Sequence, residues 1–328
     1  MLVRLFRQNQ PAVLLLLPLL VLLLWPGTAL DHPAGAVRMR DGMPLYGLLQ
    51  GLWSMPMALQ GLVGGLLVLA TALLVDRVAG GAELYDRPNH LPALLLVLLL
   101  AVGPGALWPD PALLGMPWVV WALARTWSVQ GRSHVLGVLF DAGLLLGIAA
   151  LWYVPYVFLI VVVWASVSVM RPFHWREHVL PLLGMAVVLF LCWAVLKVSG
   201  AAEWQPLRTA VDATAKGRAM VLSGVRNGIL LAVLVPLVLV SLVAFAGLYG
   251  RSIMREKNVR SSFLALTLAL GILMAFEWLL NRTFPGVLLA VPMALLCGHG
   301  LLRTRRLWLA ELAVALLLGI ALWTRWVP

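Results

Sequence analysis

Apolar residues in this chain come in unbroken runs, and most of the runs are about as long as a bilayer is thick. They occupy residues 11–30, 55–75, 91–108, 112–125, 134–152, 155–170, 179–198, 228–249, 262–280, 284–302 and 307–324. A helix needs about 20 mostly apolar residues to cross the hydrocarbon core. In lipid, backbone N–H and C=O groups must be satisfied within the segment, which leaves helices or closed barrels. Barrel strands alternate apolar and polar residues, and these runs are continuous. The expectation is an all-α polytopic membrane protein of about 11 transmembrane helices. It forms one integral membrane domain over 1–328, with long outer loops at 31–54 and 199–227. A soluble fold is excluded: 62% of the residues are apolar and 11% charged, where soluble domains carry about 25% charged.

Charge sets the expected orientation. Cytoplasmic loops are enriched in Lys and Arg. With the N-terminus cytoplasmic and the C-terminus outside, 15 of the 24 basic residues fall inside, at least two in every inner loop. The net charge of +11 therefore reads as membrane topology and not as a nucleic-acid surface. Arg4 and Arg7, with Leu2, Val3, Leu5 and Phe6, read as a basic interfacial foot before the first span. A basic start before an apolar run also describes a signal peptide, with Gly27-Thr28-Ala29 as a small-residue cleavage site; the length of the run favours a retained anchor.

The basic residues that break the rule carry the functional argument. Arg38 and Arg40 lie in the first outer loop, and Lys197, Arg208, Lys216, Arg218 and Arg226 in or beside the second. Asp31, Asp41, Glu203 and Asp212 share these loops. Such gatherings read either as solvated loops or as a site for an anionic ligand. Asp31 and Asp41 are candidate general bases, or carboxylates that hold a phosphate through a divalent cation. Otherwise they are a helix cap and a turn acid. Arg38 and Arg40 are two apart, so in an extended loop their forks share a side and suit phosphate oxygens. Asp110, in the turn Trp108-Pro109-Asp110-Pro111, belongs to the same compartment. Residues 44–54 place Leu45, Leu48, Leu49, Leu52 and Trp53 on one helical face, the pattern of a surface-lying helix.

Ionisable residues inside spans are expensive and carry function by default. Asp141 lies beside Gly143 and Gly147, a small-residue packing face, and reads as a buried helix–helix hydrogen bond. Glu277 stands four residues before Asn281 and five before Arg282, so an acid–base pair closing an outer cavity is one reading and snorkelling the other. Lys197 reads as a snorkelling span end, Glu311 as a partner for the nearby Arg-Thr-Arg-Arg, and Asn89 as an N-cap. His174 and His178 sit four apart in a basic turn. Cys192 and Cys297 fall within spans as small packing residues. No nucleotide-binding, metal-spaced or nucleophile-elbow motif is present, and no cofactor is evident beyond the divalent cation those carboxylates would accept.

Two resemblances add to this. RLFRQNQPAVLLLLPLLVLLLW, RPNHLPALLLVLLL, VLFDAGLLLGIAALWYVPYVFL and RPFHWREHVLPLLG resemble a bacterial family of multi-pass inner-membrane proteins with no established activity. That resemblance implies location in the bacterial inner membrane. The plan also resembles the GT-C type glycosyltransferases, which take sugars from polyprenyl-phosphate carriers. Those enzymes have an acidic outer loop after span 1, a second acid between spans 3 and 4, and a long outer loop after span 7. The resemblance implies Asp31 or Asp41 as base, Asp110 as second acid, and Arg38, Arg40 and Arg218 on the lipid-linked phosphate. The adjacent acidic pair usual in that family is absent, since His32 follows Asp31 and Gly42 follows Asp41. Two alternatives stand beside it. One is a transporter or flippase of a lipid-linked substrate using Asp141 and Glu277. The other is a non-catalytic subunit that meets an unidentified protein partner through 44–54 and 251–260. Membrane lipids are partners in every case.

Overall fold

The structure is a computed structural model that describes residues 2–8, 10–24, 43–47, 57–103, 109–200, 225–281, 285–304 and 306–326. Among these residues it is helical without a strand. The helices are α1 (Leu2–Phe6), α2 (Leu16–Leu24, entered through a 3-10 turn), α3 (Pro44–Gly47), α4 (Met57–Gly81), α5 (Leu91–Val102), α6 (Pro111–Trp127), α7 (Leu136–Trp152), α8 (Ile160–Met170), α9 (Trp175–Val198), α10 (Val225–Arg251), α11 (Met254–Phe276), α12 (Val287–Arg303) and α13 (Leu307–Trp326). Four stretches, Leu59–Gly81, Trp175–Val198, Gly228–Arg251 and Met254–Leu279, are long and apolar enough to cross a membrane. Shorter apolar helices of 10–17 residues accompany them.

A helix that is apolar all round belongs in the middle of a bundle. α5 obeys this: every residue from Leu91 to Ala101 is buried. It packs on α12, α4 and α13, and α12 is nearly as enclosed, from Val287 to Leu301. α9 and α10 are the opposite case. Only 17% and 22% of their apolar windows are buried, and Phe190, Trp193, Leu239 and Val243 point outward.

α9 is held mainly by one seam, against α7. Gly143 and Gly147 of α7 and Gly184 of α9 line it. A Cβ on Gly143 would overlap the Pro181 carbonyl, and one on Gly184 would overlap the Phe140 carbonyl. At Gly147 it would lie 2.8 Å from Val188 Cβ. Small residues let backbones approach to this range, as the sequence spacing leads one to expect.

Helix ends are where sequence and structure part. Residues 76–90, 171–178 and 251–260 read as polar loops. Instead α4 runs through Asp76 and Arg77 to Gly81, α9 starts at Trp175 and α11 at Met254. The charged residues extend these helices because they reach water or find partners, as Arg260 does with Glu256 one turn back at 3.3 Å. α1 is likewise no surface foot, since Val3 and Phe6 are fully buried. The Phe6 carbonyl accepts from His90 N–H at 2.9 Å.

α4 ends in a Schellman motif. Leu84 N–H donates to Ala79 O at 3.1 Å and Glu83 N–H to Gly80 O at 3.2 Å. Glu83 occupies the left-handed position with φ 53°, a place that favours glycine. Glu83→Gly is expected to raise stability by up to about 1 kcal/mol, read as a higher midpoint of thermal unfolding in detergent.

Candidate functional site

The two ends of the bundle differ chemically. At one end α6 begins, α7 finishes and α11 finishes. Asp110 caps the start of α6 with extended backbone, and Glu277 opens a π-helical turn, Glu277–Asn281, at the end of α11. Single π turns are frequent at functional sites. Tyr153 is the residue that ends α7. Its ring meets that of Tyr156 edge-on at 5.0 Å between centroids. The Tyr156 hydroxyl donates to Ala112 O at 2.7 Å, tying this corner to the first turn of α6. Tyr153's hydroxyl faces the Glu277 carboxylate. α3 packs on α7 and brings Tyr46, itself buried, into the electrostatic range of Asp110.

This setting tunes the acid. Burial, and next the Glu277 charge, push the Asp110 carboxyl up to about 7, with the Ala112 amide pulling the other way. Burial and the Glu277 charge hold Tyr153 well above the ordinary phenol value. Burial and Asp110 do the same to Tyr46. The cluster is therefore a carboxyl that exchanges its proton near neutrality, a second carboxyl beside it, and neutral hydroxyl donors.

Of the residues singled out from the sequence, the structure brings Asp110 and Glu277 together. Asp31, Asp41, Arg38, Arg40, Arg218 and Arg282 lie outside the described residues. So does 48–54 of the surface-lying stretch. The tyrosines were not singled out; aromatic residues at a span end read as an interface belt. Their signal was adjacency, since Tyr153 and Tyr156 flank Pro155 in the turn next to the one that holds Asp110.

The other end is rich in arginine. Asp141 makes the expected helix–helix hydrogen bond there, accepting from Arg125 of α6, but it is not buried: both side chains are about two-fifths exposed. Glu311 accepts from the backbone N–H of Arg4 at 2.9 Å, where the sequence pointed to Arg-Thr-Arg-Arg. Asn89 precedes the capping position by one residue, yet its Oδ1 accepts the Leu91 N–H at 3.1 Å. Lys197 lies 5.1 Å from the Trp193 ring centre, as a snorkelling cation would. His178 contacts Ser168 Oγ at 3.0 Å and the His174 carbonyl at 3.2 Å. Cys297 is buried and Cys192 partly so, both as free thiols. Among the described residues no group of three metal-ligating side chains occurs. Two pairs escaped the sequence reading. Asp76 and His90 meet at 2.7 Å, and Arg260, 1% exposed, meets Asp86 at 3.0 Å.

Compared with family models, curated proteins and solved structures, the chain matches none.

Proposed function

We propose that this is a multi-pass protein of the bacterial inner membrane with eleven spans, cytoplasmic N-terminus and outward C-terminus. On this reading the Asp110–Glu277–Tyr153 cluster faces outward and serves glycosyl transfer from a lipid-linked sugar phosphate. The distribution of Lys and Arg supports the orientation, because the Asp110 end holds the basic-poor turns. The observation that carries the chemistry is the meeting of Asp110 and Glu277 beside a buried tyrosine pair. A base works best when its pKa lies near the working pH, and Asp110 meets that condition. Asp41 stands five residues before Tyr46 in the chain, so the first outer loop leads directly into the cluster. Asp110 is the acceptor's base here, Glu277 holds the acceptor hydroxyl, and Arg38, Arg40 and Arg218 are the phosphate ligands.

The test is transfer from radiolabelled polyprenyl-phosphate sugars by membrane vesicles. Asp110→Asn is expected to lower the rate about 100-fold and to abolish the rise of activity with pH through about 7. Glu277→Gln lowers it less and shifts the profile downward, because the neighbouring negative charge is gone. Unchanged rates and pH profiles in both variants would exclude the proposal. Loss of proton-driven uptake with no transfer activity in the wild type would move the cluster to the transport reading.

A further inference from the structure

A cleft lies at the arginine end, between α4, α6, the turn after α6, and the start of α11. Its volume is about 480 Å³. Arg77 enters from α4, Arg132 from the turn and Arg255 from α11, so three separate elements contribute one guanidinium each. All three are exposed. Among the described residues none of the three has a carboxylate partner. Arg260 behaves differently, being buried and engaged by Asp86 and Glu256. Glu256 is thus committed, and Glu83 is the acid in the lining that opposes the three cations.

Apart from Ser128 and Gln130, the remaining wall is apolar. Leu74, Val78, Trp127 and Val259 back the cleft, and Trp121 stands at its edge, 48% exposed. Val78 and Trp127 also line a narrow apolar gap that continues between the helices toward Leu266 and Leu295. A site with guanidinium forks at its mouth and a greasy wall behind does not suit a freely soluble anion. It suits an amphiphile whose phosphate meets the arginines while its chains follow the helix surface.

We infer that this cleft binds the headgroup of an anionic phospholipid, with Arg77, Arg132 and Arg255 on its phosphate and Trp121 against its acyl chains. The site is distinct from the Asp110 cluster and at the opposite end of the bundle. It does not depend on the transferase reading.

Native mass spectrometry of the full chain in detergent, titrated with phosphatidylglycerol or with phosphatidylcholine, tests it. The wild type is expected to retain phosphatidylglycerol in preference. Arg77→Gln, Arg132→Gln and Arg255→Gln each reduce that preference by on the order of fivefold, and the triple variant binds the two lipids equally. Glu83→Gln strengthens it. Arg176→Gln, an exposed arginine on α9, leaves it unchanged. Lysine at all three positions retains part of the preference through charge alone. A triple glutamine variant that still prefers phosphatidylglycerol overturns the inference. So does an equal loss from Arg176→Gln, which would mean a general basic surface. Thermal protection by inorganic phosphate equal to that by phosphatidylglycerol would make the ligand a free phosphate and also overturn the lipid assignment.

Discussion

Gly143→Ala is expected to destabilise the protein by about 3 kcal/mol, and Gly184→Ala by a similar amount. The reason is geometric. Each added methyl would overlap a carbonyl oxygen of the facing backbone, Pro181 O or Phe140 O, and a backbone cannot swing aside as a flexible side chain can. The helices must separate, and α9 has little else to hold it. A double variant should cost less than the sum, because once the seam has opened the second methyl meets less resistance. Gly137→Ala is the internal control on the same helix. Nothing lies within 4 Å of a Cβ there, so the change should be neutral or stabilising by up to about 1 kcal/mol through helix propensity. Reversible unfolding in mixed micelles, followed by tryptophan fluorescence, reads all four. Equal stability of Gly143→Ala and Gly137→Ala would mean that the α7–α9 contact is not close in solution.

The second large effect concerns Arg260, and it is asymmetric. Arg260 is 1% exposed, whereas its partners Asp86 and Glu256 are 56% and 31% exposed. Removing both acids, as Asp86→Asn with Glu256→Gln, strands a buried guanidinium and should cost about 3–5 kcal/mol. Removing the arginine instead, as Arg260→Met, leaves two carboxylates that turn to water, with most of the packed volume kept. That variant should lose no more than about 1–2 kcal/mol. The same unfolding assay ranks the two. If Arg260→Met proved the more damaging, the ion pair itself, and not the stranded charge, would be the dominant quantity.

Asp110 adds a pH term that can be read in the same experiment. Its carboxyl lies at about 7 in the folded protein against 3.8 ordinarily. Between those values the native state holds a proton that the unfolded chain releases, so this group makes stability fall as pH rises and stop falling above 7. Asp110→Asn should flatten that part of the curve.

What the sequence made legible follows the physics of lipid. Continuous apolar runs announced the helices, and the small residues of FDAGLLLGIAALW announced a close packing face on α7, though not that α9 would fill it. The same reasoning misplaced helix ends wherever polarity was taken to mean loop. Arg77 and Arg255 sit in helices because backbone hydrogen bonding continues past the last apolar residue, provided the side chains can reach water or a partner. Asp110 and Glu277 stood out separately, each as an acid at a span boundary. Their meeting did not, because 167 positions separate them in the chain, and only the packing of α11 beside the corner between α7 and α8 closes that distance. The Asp86–Arg260 pair, 174 positions apart, was hidden for the same reason. Single-residue chemistry is local, whereas pairing is decided by which helices become neighbours.

The bond between Arg4 N–H and Glu311 spans 307 positions, and α1 packs on α13. During synthesis α1 is therefore made long before α13, the partner of this bond, exists. Until then α1 has only its nearer contacts, with α5 and through the Phe6 carbonyl with His90 N–H. Arrival of the last helix completes the docking site of the first. A chain cut short before Glu311 would lack the Arg4 contact and keep α1 only through α5 and His90.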